Sequence, residues 1–223
     1  PVEGSVDFIY DDDWYSVDLK VGYTYVFALS GDGTAESINS ADLKLYSGNS
    51  SEVAYGRIYE GITEPLAFTP TSDGTYYISM GSWNSTERGE YVISSLAETA
   101  DNNSTQALIS VNEVVEGTVD YVSDYDWYGI ELTKGYTYTF SLGGTGTSSG
   151  ISEFYLDLRS EDGDLLATET SEGTAAQITF SATISGTYFL DAGSQSDEVG
   201  DYILSVSGPI IGTRNDDNLS GTD

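Results

Sequence analysis

Two pairs of carboxylates stand out by their spacing. Asp124 and Asp126 lie in "DYDWYGIELTKGYTYTF", and Asp11 and Asp13 lie in "DDDWYSVDLKVGYTYVF". In an extended chain, side chains at i and i+2 leave the same side, roughly 6.5–7 Å apart. Carboxylates placed so can do three kinds of chemistry. They can share a Ca2+ ion, which gathers about 6–8 oxygens at about 2.3–2.6 Å. They can cap a turn by accepting backbone N–H bonds. They can act as an acid and a base near the separation of an inverting glycosidase. The last requires a substrate cleft and one raised carboxyl pKa. These acids instead sit in a strongly anionic stretch and occur twice, so the chain is expected not to be an enzyme.

Composition removes further chemistry. The chain of 223 residues has no Cys and no His. Thiol nucleophiles, disulfides, thiolate zinc sites and a Ser-His-Asp arrangement are therefore excluded. Asp plus Glu number 37 against 7 Lys plus Arg, a net charge of −30. Such a chain repels phosphate backbones and anionic lipid, so no nucleic acid is expected as a partner. No apolar run approaches the roughly 18 residues of a membrane helix, so no membrane insertion is expected. The aromatic content of 13% opposes disorder. What is left is a folded acidic protein, expected to be a monomer, whose self-repulsion divalent cations or salt would relieve.

The elements that must position these acids are repeated. Glu3–Leu29 aligns without gaps on Glu116–Leu142, and the match resumes at "ADLKLYS" with "FYLDLRS" and at "GEYVIS" with "GDYILS". The copies span about 1–97 and 98–208. Within each, short runs alternate: Tyr128, Ile130 and Leu132 inward, then Tyr136, Tyr138, Phe140 and Leu142 on one face. Gly, Ser, Asp and Asn clusters separate the runs. The pattern predicts an all-β chain of two tandem antiparallel β-sandwich, jelly-roll-like domains. Between the copies, "ETADNNSTQALISVNEVVEG" is expected to lead into the second, with Ala107, Leu108, Ile109 and Val111 packed and a strand starting at Val114-Val115. The first copy carries no counterpart, as expected of a chain cut ahead of Pro1.

The order "ETADNNST", "EGTVDYVSDYDWYGIEL", a Gly-Tyr turn, "LDLRSEDGDLL", "SGTYFLDAG" and "GDYILSV" resembles the bacterial pre-peptidase C-terminal domain, here in tandem. That resemblance implies non-catalytic sandwich modules of secreted or cell-surface proteins, proteases and adhesins among them. Some members bind calcium, and some bind collagen or other polymers. Carried over by position, the calcium ligands would be Glu98 and Asp101 with Asp124 and Asp126. Asp11 and Asp13 would form a weaker site. The implied role is a spacer or accessory unit in which the ion clamps the lead-in segment to the first strand. "IGTRNDDNLSGTD", Ile211–Asp223, resembles the opening of a repeats-in-toxin nonapeptide array, with Gly212, Asp217 and Leu219 in pattern. It implies a calcium ligand at Asp217 once further repeats stack on it, and residues 209–223 are expected to be poorly ordered.

The alternative is a module that binds a polysaccharide or a protein polymer such as collagen. Most tyrosines, including Tyr136, Tyr138, Tyr188 and Tyr202, sit in inward registers and are expected in the core. Tyr77, Tyr155 and Trp83, the last in the loop "GSWNSTERGE", are the surface candidates for such a ligand.

Overall fold

The computed structural model describes residues 1–8, 10–34, 37–82 and 88–209. The chain divides into two compact units, Pro1–Gln106 and Ala107–Asp223. Among the described residues there is no helix, and every strand pairing within the sheets is antiparallel.

Unit 1 holds β1 (Val2–Val6), β2 (Asp12–Leu19), β3 (Tyr23–Gly31), β4 (Ala41–Tyr46), β5 (Glu52–Tyr59), β6 (Ile62–Glu64), β7 (Leu66–Phe68), β8 (Gly74–Gly81) and β9 (Gly89–Thr99). They form two sheets, ordered β1-β9-β3-β7 and β2-β8-β4-β5-β6. Unit 2 holds β10 (Val114–Val119), β11 (Tyr125–Leu132), β12 (Thr137–Gly144), β13 (Glu153–Arg159), β14 (Leu165–Glu172), β15 (Ala176–Ser181), β16 (Gly186–Ser194) and β17 (Gly200–Ser207). Its sheets run β10-β17-β12-β15 and β11-β16-β13-β14. Each unit is a sandwich whose core takes side chains from both sheets. Phe27, Leu29 and Tyr91 meet Leu43, Leu45 and Ile78 in unit 1; Phe140, Leu142 and Tyr202 meet Leu156, Leu158 and Leu190 in unit 2. β4 shows the period-2 logic plainly: Ala41, Leu43 and Leu45 are buried, and Asp42, Lys44 and Tyr46 face the other way.

Two expectations are corrected. Tyr136 is exposed, because its amide closes a turn onto the Thr133 carbonyl and the strand begins one residue later. Leu108 is exposed as well, at 74%, while Ile109 is buried at 3%. Ile109 and Ala107 bracket β11, the Ile109 amide donating to the Gly129 carbonyl (3.0 Å) and the Gly129 amide to the Ala107 carbonyl (2.9 Å). In such an extended segment neighbouring residues point opposite ways, so only one of the two can face the core.

The segment between the copies is shared between the units. β9 continues through Thr99, with Glu98 opposite Thr24 on β3. The Asp101 amide donates to Thr24 Oγ1, and the Asp101 carboxylate accepts from the hydroxyls of Thr69 and Thr24. Residues from Ala107 onward belong to unit 2.

Candidate functional site

The repeated acids form the same local structure in both units. Ahead of β11, the Asp124 amide donates to the Tyr121 carbonyl (3.1 Å), and Asp124 Oδ2 accepts from the Asp120 amide (2.7 Å). Ahead of β2, the Asp11 amide donates to the Phe8 carbonyl (3.2 Å), and Asp11 Oδ2 accepts from the Asp7 amide (2.8 Å). Each turn carries a residue at positive φ just before the acid, Ser123 at 68° and Tyr10 at 63°. The first acid of each pair therefore closes a tight turn, as a side-chain acceptor does.

The second acid points toward the sandwich interior. Asp126 Oδ2 accepts from the Tyr202 hydroxyl (2.5 Å), which also meets the Tyr128 hydroxyl (2.9 Å). In unit 1, Asp13 Oδ2 accepts from Tyr91 (2.6 Å), which meets Tyr15 (2.6 Å). Burial pushes the Tyr202 phenol far up, and the Asp126 charge adds to it. Tyr128 is raised by burial and then by the charges of Asp126 and Asp124. Both phenols thus stay protonated donors. The repeated glycine of "EGTVD" and "EGSVD" has its reason here. Gly117 lies under the Tyr202 ring and Gly4 under the Tyr91 ring, where any Cβ would collide.

The units differ in how dry this site is. Asp124 and Asp126 are 2% and 6% exposed, whereas Asp11 and Asp13 are half-buried. A carboxylate oxygen of the exposed Asp120 lies within 4.8 Å of one of Asp124. Unit 2 therefore brings Asp120 and Asp124 together just ahead of β11, with Asp126, two residues on, turned to the Tyr202 hydroxyl. Glu98 and Asp101, named with them from the resemblance, belong to unit 1. Trp83 and Asp217 lie outside the described residues.

The aromatic candidates separate. Tyr77 is exposed on β8. Tyr155 is half-buried, its ring edge-on to Tyr125 at 5.2 Å and its hydroxyl donating to Asp157 Oδ2 (2.5 Å). It belongs to a network the sequence reading missed. Asp157 and Asp191 are cross-strand neighbours on β13 and β16. Arg159 donates to both, from Nη2 to Asp157 (2.5 Å) and from Nε to Asp191 (2.9 Å), and lies over the Trp127 ring at 4.9 Å. Burial pushes the Asp191 carboxyl up to about 7; Arg159 pulls it back, and Asp157 raises it further. The one available signal was the pair of charges inside the apolar run "FYLDLRS".

No family model matches the chain, and no curated protein matches it. Among solved structures the chain is similar to the pre-peptidase C-terminal domain of a collagenase from Bacillus anthracis, at 21% identity and a TM-score of 0.38, over 45% of this chain and 93% of that one. It is also similar to the PBSX exported protein XepA, at 11% identity and a TM-score of 0.27, over 92% of this chain and 85% of that one.

Proposed function

We propose that the chain is a pair of non-catalytic β-sandwich modules of a secreted or cell-surface protein, and that unit 2 binds Ca2+ where β11 begins. One observation carries the calcium site. Asp124 and Asp126 are buried at one strand mouth, with a carboxylate oxygen of Asp120 within 4.8 Å of Asp124. Like charges crowded at low exposure disfavour one another. A hard divalent cation turns that repulsion into ligation and takes oxygen donors by preference. The net charge of −30 adds a general attraction for cations.

Asp11 and Asp13 form a weaker version, since solvent already screens them. The resemblance adds Glu98 and Asp101, but Asp101 already serves Thr24 and Thr69 within unit 1. The proposal therefore rests on the acids of unit 2. Asp217, in the stretch resembling a repeats-in-toxin unit, is proposed as a ligand of an array in which such repeats stack.

The non-catalytic reading is supported by the tasks the paired acids already perform. One caps a turn, and the other accepts a tyrosine hydroxyl. Isothermal titration of Ca2+ into chelator-stripped protein tests the site. A saturable site that Asp124→Asn weakens, and that Asp11→Asn leaves in place, is the expected result. No saturable binding, or equal binding by Asp124→Asn, would remove calcium from the proposal.

A further inference from the structure

The two units put the same sheet face to different use. In unit 2 the outward side chains around Trp127 are Phe189 and Asp191 on β16, with Asp157 and Arg159 on β13. Arg159 closes over the indole, and Trp127 is 8% exposed. In unit 1 the matching places are held by Trp14 on β2, Tyr77 and Ser79 on β8, and Lys44 and Tyr46 on β4. No arginine stands where Arg159 does; Tyr46 stands there instead. Trp14 is left 56% exposed and Tyr77 42% exposed.

These rings form one surface. Tyr46 and Tyr77 are direct cross-strand partners, and Trp14 lies 5.2 Å from Tyr46 with the ring planes inclined at 38°. With Ser47, Gly48 and Ser50 of the β4–β5 turn they line an open concavity of about 430 Å³. That volume falls within the usual range for small-molecule sites. Every lining residue is uncharged, in a chain with a net charge of −30. Two exposed large rings beside a half-buried third, rimmed by hydroxyls, make the kind of patch that marks a binding surface rather than scattered surface residues.

We propose that the outer sheet face of unit 1, built on Trp14, Tyr46 and Tyr77, binds a neutral polysaccharide. A sugar ring offers what this surface lacks. Its axial C–H face is apolar and flat enough to lie on an aromatic ring, and its equatorial hydroxyls reach outward to the serine hydroxyls and the turn backbone. Rings inclined to each other fit successive sugar units, which are themselves twisted along a chain. The charge of the whole molecule turns away polyanions. A peptide is the poorer fit. A strand-adding peptide would pair along the free outer edge of β2, whereas the rings are presented on the sheet face across β2, β8 and β4. This site does not rest on the principal calcium site proposed above, which belongs to unit 2.

Affinity gel electrophoresis of the whole chain tests the proposal. The gels would contain laminarin, xyloglucan, galactomannan or dextran, with polygalacturonate and gelatin as the anionic and protein-polymer comparisons. At least one neutral glycan should retard the chain, with or without chelator, and polygalacturonate should not. Trp14→Ala and Tyr77→Ala should each weaken binding about tenfold, the upper range for loss of one stacked ring. Both side chains are exposed, so thermal melting should stay near that of the parent; Tyr46→Ser gives a third, independent variant. No retardation by any neutral glycan would overturn the proposal. So would unchanged retardation of the Trp14→Ala, Tyr77→Ala double variant, or retardation by gelatin alone.

Discussion

Asp126 and Tyr202 show why the repeated acids sit where they do. A tyrosine from the last strand reaches across the sandwich to an acid at the start of an early one, and Gly117 makes room for its ring. Removing the hydroxyl takes the donor from a buried carboxylate, so Tyr202→Phe should lower the stability of unit 2 by about 1–3 kcal/mol. Tyr91→Phe should cost less in unit 1, because Asp13 and Tyr15 are half-buried and water can replace the lost donor. Urea unfolding of the two variants makes the comparison; equal losses would show that burial does not set the difference. Asp191 gives a second test, by pH. Its carboxyl is raised to about 7, chiefly by burial, above the usual carboxylate range. The folded state therefore holds this proton more tightly than the unfolded state. Its stabilising contribution is complete below about pH 4 and is lost as pH rises through about 7. Asp191→Asn should flatten that part of the melting-temperature profile, since Asn keeps an acceptor for Arg159 without a charge. An unchanged profile would place the proton elsewhere.

The segment Ala107–Val111 decides how well β11 is held. It brackets Gly129 by two backbone hydrogen bonds and buries Ile109 against the core, and β11 is buried along most of its length. In unit 1, β2 is an edge strand with alternate residues exposed. Amide exchange should therefore be slower across 125–131 than across 12–18. Ile109→Ala should cost about 2–5 kcal/mol, as large-to-small core changes do. Leu108→Ala should be nearly neutral. Equal exchange in the matched strands, or a large loss from Leu108→Ala, would contradict this role. Much of this was legible in the sequence. Period-2 alternation placed β11 and most of β12, and the repeat exposed the duplication. β14, "LLATETSE", was not legible, because an exposed edge strand keeps few apolar residues and so loses its alternation. The Tyr202–Asp126 pairing was equally hidden: the two residues are 76 positions apart, and no local pattern records which strands a sandwich brings together.

The two units are copies of one fold that have parted at the surface and at the strand mouth. Unit 2 buries its acids and closes its outer face with Arg159; unit 1 leaves its acids half-solvated and its aromatic face open. The division of labour proposed here follows from that contrast, with a cation in the second unit and a glycan on the first. Calcium is its central element. If Ca2+ binds the folded chain alone, about 100 times its dissociation constant stabilises that chain by roughly 2.7 kcal/mol. The most direct measurement is differential scanning calorimetry of the whole chain in excess Ca2+ and in excess chelator, at one ionic strength. A higher melting temperature in Ca2+, confined to one transition and lost in Asp124→Asn, is the predicted result. Superimposable scans in Ca2+ and chelator would show that the Asp-x-Asp pair is a turn and hydrogen-bonding device with no ion to hold.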